Sequence, residues 1–177
     1  GRTKHSDNHL VWIDPDDGDH LLIGADAGLY ETFDHGESFR HVPNLPISQF
    51  YRVATDNAEP FYNILAGAQD LGTLYGPSRT TGVEGVRSQD WSVTLGADGY
   101  HVAFDPEDPN ICYMEWQNGN VMRMDRRTME LQDIQPQGQP GDDPERWNWD
   151  CPIVVSPHKP HTIFVASQRV WRSDDRG

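Results

Sequence analysis

Residues 103–125 carry the stretch Ala103-Phe104-Asp105-Pro106, Asn110-Ile111-Cys112-Tyr113-Met114 and Asn120-Val121-Met122-Arg123-Met124-Asp125. Each piece is a short apolar or aromatic run closed by Asp, Pro or Asn, which is the punctuation of strands joined by tight turns. Working outward, the same order recurs. Trp12-Ile13-Asp14-Pro15 leads to His20-Leu21-Leu22-Ile23-Gly24 and then to Gly28-Leu29-Tyr30-Glu31-Thr32-Phe33-Asp34. Val155-Ser156-Pro157 leads to His161-Thr162-Ile163-Phe164-Val165 and then to Arg169-Val170-Trp171-Arg172-Ser173-Asp174-Asp175. A weaker copy starts at Val53-Ala54-Thr55-Asp56 and continues through Phe61–Gly67 and Gly72–Tyr75. The anchors Asp14, Asp56, Asp105 and Ser156 are 42, 49 and 51 residues apart. No stretch shows a sustained 3.6-residue period with helix caps.

A period of about 40–50 residues with four short strands per unit predicts β-propeller blades. The expected fold is all-β, with four-stranded antiparallel blades over residues 10–42, 51–94, 100–134 and 153–177. The last blade is expected to lack its outermost strand. The strands a to d are placed at Leu10–Ile13, His20–Ala25, Gly28–Phe33 and Ser38–Val42 in the first blade. In the second they are Tyr51–Thr55, Phe61–Ala68, Thr73–Tyr75 and Trp91–Thr94. In the third they are Tyr100–Phe104, Ile111–Trp116, Val121–Asp125 and Glu130–Ile134. In the fourth they are Ile153–Ser156, Thr162–Ala166 and Val170–Ser173. Residues 1–177 then form part of one propeller domain of a longer chain, whose remaining blades are its first partners. An open piece of this kind exposes sheet edges and apolar faces, and low stability in isolation is expected.

Composition narrows the function. Asp plus Glu number 28 against 14 Lys plus Arg, a net charge of −14. Nucleic acids and anionic membranes attract cationic surfaces, so neither is an expected partner. No apolar run reaches the roughly 18 residues of a membrane-spanning helix. The opening Gly1-Arg2-Thr3-Lys4-His5-Ser6 shows no apolar signal-peptide core. Cys112 and Cys151 fit no metal or redox spacing. They read as small buried hydrophobes or, in an oxidising compartment, as a disulfide. The histidines are scattered, and Asp14-Pro15-Asp16-Asp17-Gly18-Asp19 reads better as a turn than as a calcium loop. No metal and no cofactor is predicted.

Thr32-x-Asp34-x-Gly36-x-Ser38-Phe39 sits on the turn between strands c and d of the first blade. Ser173-x-Asp175-x-Gly177 starts the same motif in the fourth, and Arg123-x-Asp125-x-Arg127 is a degenerate copy. The pattern resembles the Asp-box of BNR-repeat propellers. Its residues are expected to be structural: the carboxylate accepts backbone N–H groups and Gly permits a positive φ. Further stretches narrow the resemblance: Ala66-Gly67-Ala68-Gln69-Asp70-Leu71-Gly72, Gly96-Ala97-Asp98-Gly99-Tyr100-His101, Gln117-Asn118-Gly119 and Trp147-Asn148-Trp149-Asp150. Together they are similar to bacterial sortilin-like BNR-repeat proteins, often described as glycosyl hydrolase-like. That resemblance implies an exported, longer protein, periplasmic, cell-surface or secreted, and a peptide- or protein-binding role. It does not by itself imply catalysis.

In a propeller the a–b and c–d turns share one face, and the b–c turns and d–a connections share the other. The Asp-Pro turns and Asp-box motifs fall on the first face. The second collects Asp26, Gln69, Asp70, Gln117, Asn118, Gln168, Asp98 and the segment Gln135–Asp150 with Arg146, Trp147 and Trp149. Amides and carboxylates bond hydroxyls, and aromatic faces cover apolar sugar patches. Gln69, Asp70, Asp98, Gln117, Asn118, Arg146, Trp147 and Trp149 are therefore the expected ligand contacts, for a glycan or a peptide. Gln69-Asp70 and Asp98-Gly99 also read as plain Asx turns. The alternative is a xyloglucanase- or sialidase-like hydrolase. It needs two carboxylates across the scissile bond, and Asp70 and Asp98 are the candidates. Arg79, Arg146 and Arg169 do not form a recognisable sialidase motif.

Overall fold

The computed structural model describes residues 4–45 and 48–177; the opening Gly1-Arg2-Thr3 lies outside them. Four antiparallel sheets follow one another along the chain. The first holds β1 (Asn8–Ile13), β2 (Leu21–Ala25), β3 (Gly28–Thr32) and β4 (Arg40–His41). The second holds β5 (Arg52–Thr55), β6 (Asn63–Ala68), β7 (Gly72–Pro77) and β8 (Ser92–Leu95), with a short 3-10 turn at Ser88–Asp90. The third is β9 (Val102–Phe104), β10 (Ile111–Trp116), β11 (Asn120–Asp125) and β12 (Glu130–Asp133). The fourth is β13 (Ile153–Val155), β14 (Ile163–Ala166) and β15 (Val170–Ser173). Strand order equals chain order in every sheet, so each is a meander of the predicted blade type. Strand bounds differ from expectation by two residues or fewer, the usual spread at strand ends.

The chain divides into two compact units, residues 1–48 and 49–177. The first unit is one sheet. Among its described residues only Ile23 and Thr32 are buried, and Leu10, Val11, Trp12 and Ile13 on β1 are exposed on both sides of the strand. A lone twisted sheet has no second layer to cover its apolar side chains.

The second unit has a real core. Leu65, Leu95, Val102, Phe104, Cys112, Met114, Met122 and Met124 cluster between the second and third sheets. Ile111, Tyr113, Val121, Cys151, Ile153, Ile163 and Val165 cluster between the third and fourth. The third sheet therefore sends alternate residues of β10 to opposite neighbours: Cys112 and Met114 one way, Ile111 and Tyr113 the other. Each fully buried side chain such as Leu65 or Met114 contributes roughly 1.5–3 kcal/mol. The two thiols are free, buried in different clusters, and pushed up by burial to about 12 and about 11.

The c–d motif turns repeat bond for bond. In the first sheet Thr32 Oγ1 donates to Asp34 Oδ1 (2.7 Å) and accepts the Gly36 N–H (3.0 Å). In the fourth Ser173 Oγ donates to Asp175 Oδ1 (2.5 Å) and accepts the Gly177 N–H (2.7 Å). His35 and Gly36 take left-handed φ values of 54° and 92°; Arg176 and Gly177 take 77° and 99°. Asp34 also accepts the Ser38 hydroxyl (2.5 Å) and N–H (2.9 Å), and these bonds hold its carboxyl down at about 2. Phe39 is half-buried beside Gly36.

A second repeated contact links sheets. Arg176, the fourth residue of its motif, donates from Nε to Asp105 Oδ2 (2.8 Å), the anchor of the preceding sheet. Arg126, the same motif position in the third sheet, lies 3.7 Å from Asp56 Oδ2, the anchor of the second, and 3.7 Å over the Tyr75 ring. Both anchor carboxylates are fully buried. The interior thus places one guanidinium over each buried anchor, which offsets its desolvation.

Candidate functional site

The loop face of residues 49–177 is built from three b–c turns and the connections that run past them. Each turn carries a glutamine, and each glutamine ties its turn to a connection. Gln69 Oε1 accepts the Tyr51 hydroxyl. Gln117 Nε2 donates to Asp98. Gln168 Oε1 accepts the Arg146 N–H (2.7 Å). Left-handed residues let these turns close in three residues: Asp70 (φ 62°), and Asn118 (65°) followed by Gly119 (67°). Gln69 and Gln117, two of the amides expected to meet a ligand, are thus engaged in holding the face together.

Asp98 is the hub of that face. It is 7% exposed and sits in the connection between the second and third sheets. Its Oδ1 accepts the Asp70 N–H (2.8 Å), and its Oδ2 accepts the Tyr100 hydroxyl (3.3 Å) and the Gln117 amide. The chain approaches so closely here that a Cβ on Gly67 would lie 2.3 Å from the Tyr100 carbonyl oxygen. Both predicted carboxylates thus lie in neighbouring turns, and the Asp70 backbone N–H is bonded to the Asp98 carboxylate.

Tyr100 carries what this hub supports. Its hydroxyl accepts the Trp149 indole N–H, and its ring stacks on Tyr51 with centroids 5.2 Å apart and planes at 30°. Burial, with Asp98 adding to it, raises the Tyr100 phenol to about 12, so it remains a neutral donor and acceptor. Tyr51 is 38% and Trp149 52% exposed. Two aromatic rings therefore reach the surface on either side of a buried, hydrogen-bonded tyrosine. Trp149 lay within the expected site; Tyr51 and Tyr100 did not, because only the stacking makes them part of it.

The Gln135–Asp150 connection adds a cleft of about 330 Å³, lined by residues including Gln137, Gln139, Asp142, Asp143, Glu145 and Trp147. Gln135 Nε2 fastens it to the Gly119 carbonyl (2.8 Å), and Asp142 accepts the Gln139 N–H (3.0 Å). Arg169 pairs with Glu145 (3.0 Å) and approaches Asp142 (3.8 Å). Trp147 lies against Gly119, where a Cβ would come within 2.4 Å of its ring. Arg146 and Asn118 are exposed, and the Asn118 N–H donates to the Trp149 carbonyl (3.3 Å).

One buried group escaped the sequence reading. Glu115 on β10 is fully buried, and its Oε1 accepts the N–H groups of Cys151 (2.8 Å) and His101 (3.4 Å). Burial raises its carboxyl to about 8, with Asp150 adding to the rise. The signal was present: Glu115 closes the apolar run Ile111-Cys112-Tyr113-Met114, and a carboxylate in such a run marks a buried charge.

Among solved structures, the Niastella koreensis GH74 enzyme matches 96% of this chain with a TM-score of 0.50 at 12% identity. The chain is a β-propeller segment. A GH74 xyloglucanase from Xanthomonas campestris matches 96% of the chain at 18% identity, with a TM-score of 0.48. Apo AztD from Citrobacter koseri matches 85% at 16% identity, with a TM-score of 0.42. The segment spans 29% of the Xanthomonas protein, 23% of the Niastella protein and 39% of AztD. No family model matches the chain, and no curated protein matches it in sequence. No helix among the described residues is long and apolar enough to cross a membrane.

Proposed function

We propose that this segment belongs to a non-catalytic binding propeller of the sortilin-like BNR-repeat type, and that its loop face recognises a hydroxyl-rich ligand, a glycan. The observation that carries this reading is the pair of exposed rings, Tyr51 and Trp149, locked against Tyr100 and Asp98. A rigid aromatic surface binds the apolar face of a sugar with little entropy left to lose. The neighbouring cleft supplies amides and carboxylates for hydroxyls, and its volume lies in the range of small-ligand sites. Asp98 supports binding over hydrolysis. A general acid or nucleophile needs a free oxygen facing the substrate, whereas Asp98 is buried with both oxygens engaged. The acidic surface and the family resemblance are consistent with export and disfavour nucleic acid as a partner.

The test is a glycan array probed with the chain and with its parent protein, followed by reducing-end release on every hit. Binding is expected without release, and Trp149→Ala is expected to weaken it roughly fivefold, in line with ~1 kcal/mol for an aromatic contact. Release that disappears in Asp70→Asn would establish the hydrolase instead. Peptide binding in the absence of glycan binding would replace the ligand class.

A further inference from the structure

Glu115 and Asp150 stand apart from the aromatic surface but control the segment that carries it. Glu115 Oε1 accepts the N–H of Cys151, the residue after Asp150, and so fastens the end of the Gln135–Asp150 connection to β10. Its other oxygen, Oε2, is buried without a hydrogen-bond donor. The carboxyl of Asp150 lies beside it; that side chain is 36% exposed, but its Oδ1 is turned inward, buried and without a hydrogen bond. An ionised Glu115, fully buried with no donor on Oε2, does not rest beside the Asp150 carboxylate unless a proton lies between them. Because Oε1 already accepts two backbone N–H groups, the proton belongs on Oε2, pointing to Asp150.

The other ionisable groups here do not replace that proton. His101 Nε2 lies 3.4 Å from Asp150 Oδ1, but burial holds its imidazole below its ordinary value against the pull of Asp150, and Arg52 pushes the same way as burial. The Cys151 thiol is raised by burial and stays neutral. We propose that Glu115 and Asp150 share one proton, and that this shared proton latches the Gln135–Asp150 connection, and Trp149 with it, to the third sheet.

Loss of the proton at alkaline pH leaves a buried charge on Glu115 beside the Asp150 carboxylate. The connection is then driven outward, and the Trp149–Tyr100 bond breaks with it. The device regulates the aromatic surface and to that extent rests on the binding reading, but its test needs no ligand. Infrared spectroscopy of the full chain at pH 7 is expected to show a protonated carboxyl band that bleaches on titration above pH 8. Indole emission is expected to change over the same interval. Glu115→Gln keeps the shape, the acceptor for Cys151 and a donor for Asp150. It should therefore fold as the parent does, lack the band and lose the alkaline change in emission. Asp150→Asn should keep the band at acid pH and move its midpoint down by about one pH unit, since the neighbouring charge is gone while burial remains. Absence of the band at pH 7, its persistence in Glu115→Gln, or an unmoved midpoint in Asp150→Asn would each overturn the proposal. Failure to bind any glycan, with the band behaving as described, would remove only the binding reading.

Discussion

Replacement of Arg176 by Met tests the linkage between sheets most directly. Arg176 donates to Asp105 Oδ2 at 2.8 Å, and the Asp105 side chain is fully buried while the guanidinium is 26% exposed. Burial alone would raise the Asp105 carboxyl, but the Arg176 bond and the N–H groups of Glu107 (2.9 Å) and Asp108 (3.0 Å) overcome it and hold the value below 3.8. Breaking a buried pair from one side costs about 3–5 kcal/mol. Two backbone donors stay on Asp105, and the partial exposure of Arg176 screens part of the attraction, so about 2 kcal/mol is expected here. That corresponds to roughly a 30-fold change in the unfolding equilibrium. Met retains most of the apolar stem, so packing changes little. The assay is urea unfolding of the full chain followed by tryptophan emission. The pH dependence supplies a second check. A carboxyl with a depressed folded pKa contributes stability that is present above 3.8 and lost as pH falls through the folded value. The gap between parent and Arg176→Met should therefore narrow in acid. A gap under about 0.5 kcal/mol at pH 7, the size of an ordinary surface substitution, would refute the reasoning. So would a gap unchanged at pH 3.

Asp98→Ala should destabilise residues 49–177 by about 2–4 kcal/mol, because it strands the Asp70 N–H and the Gln117 amide. Asp98→Asn should cost clearly less, and equal losses in denaturant unfolding would contradict the hub role. In the first unit His20 lies between Asp14 (3.1 Å) and Glu31 (3.1 Å), whose hydrogen bonds raise its imidazole above 6.5. Its contribution to stability is present in full below 6.5 and is lost as pH rises through the folded value. NMR titration should find its midpoint above that of a model histidine, and a lower midpoint would disprove the clamp. Residues 1–48 expressed alone should show no cooperative thermal transition, since a single sheet with only Ile23 and Thr32 buried among its described residues has too little core. A sharp transition in calorimetry would show otherwise.

The blades are legible in the sequence because their signals are local. Runs such as Ile111–Trp116, the Asp-Pro and Asn-Gly turns and the Thr32–Gly36 motif each depend on residues within a few positions of one another. The sorting of turns onto two faces also follows from strand alternation alone. The chemistry of the loop face did not follow. Gln69, Gln117 and Gln168 were visible as a repeated residue type, yet their bonds run to Tyr51, Asp98 and Arg146, at separations of about 20 residues. Whether an amide faces solvent or a neighbouring connection is set by how adjacent sheets pack. The stacking of Tyr51 on Tyr100 and the placing of Arg176 on Asp105, 71 residues away, have the same origin. So does the burial of Glu115, whose carboxyl is raised by desolvation, a property of the assembled core and of no single strand. Local hydrogen-bonding chemistry wrote the strands and turns into the sequence; burial and long-range pairing, which exist only once the sheets meet, decided which polar residues hold the structure and which stay exposed.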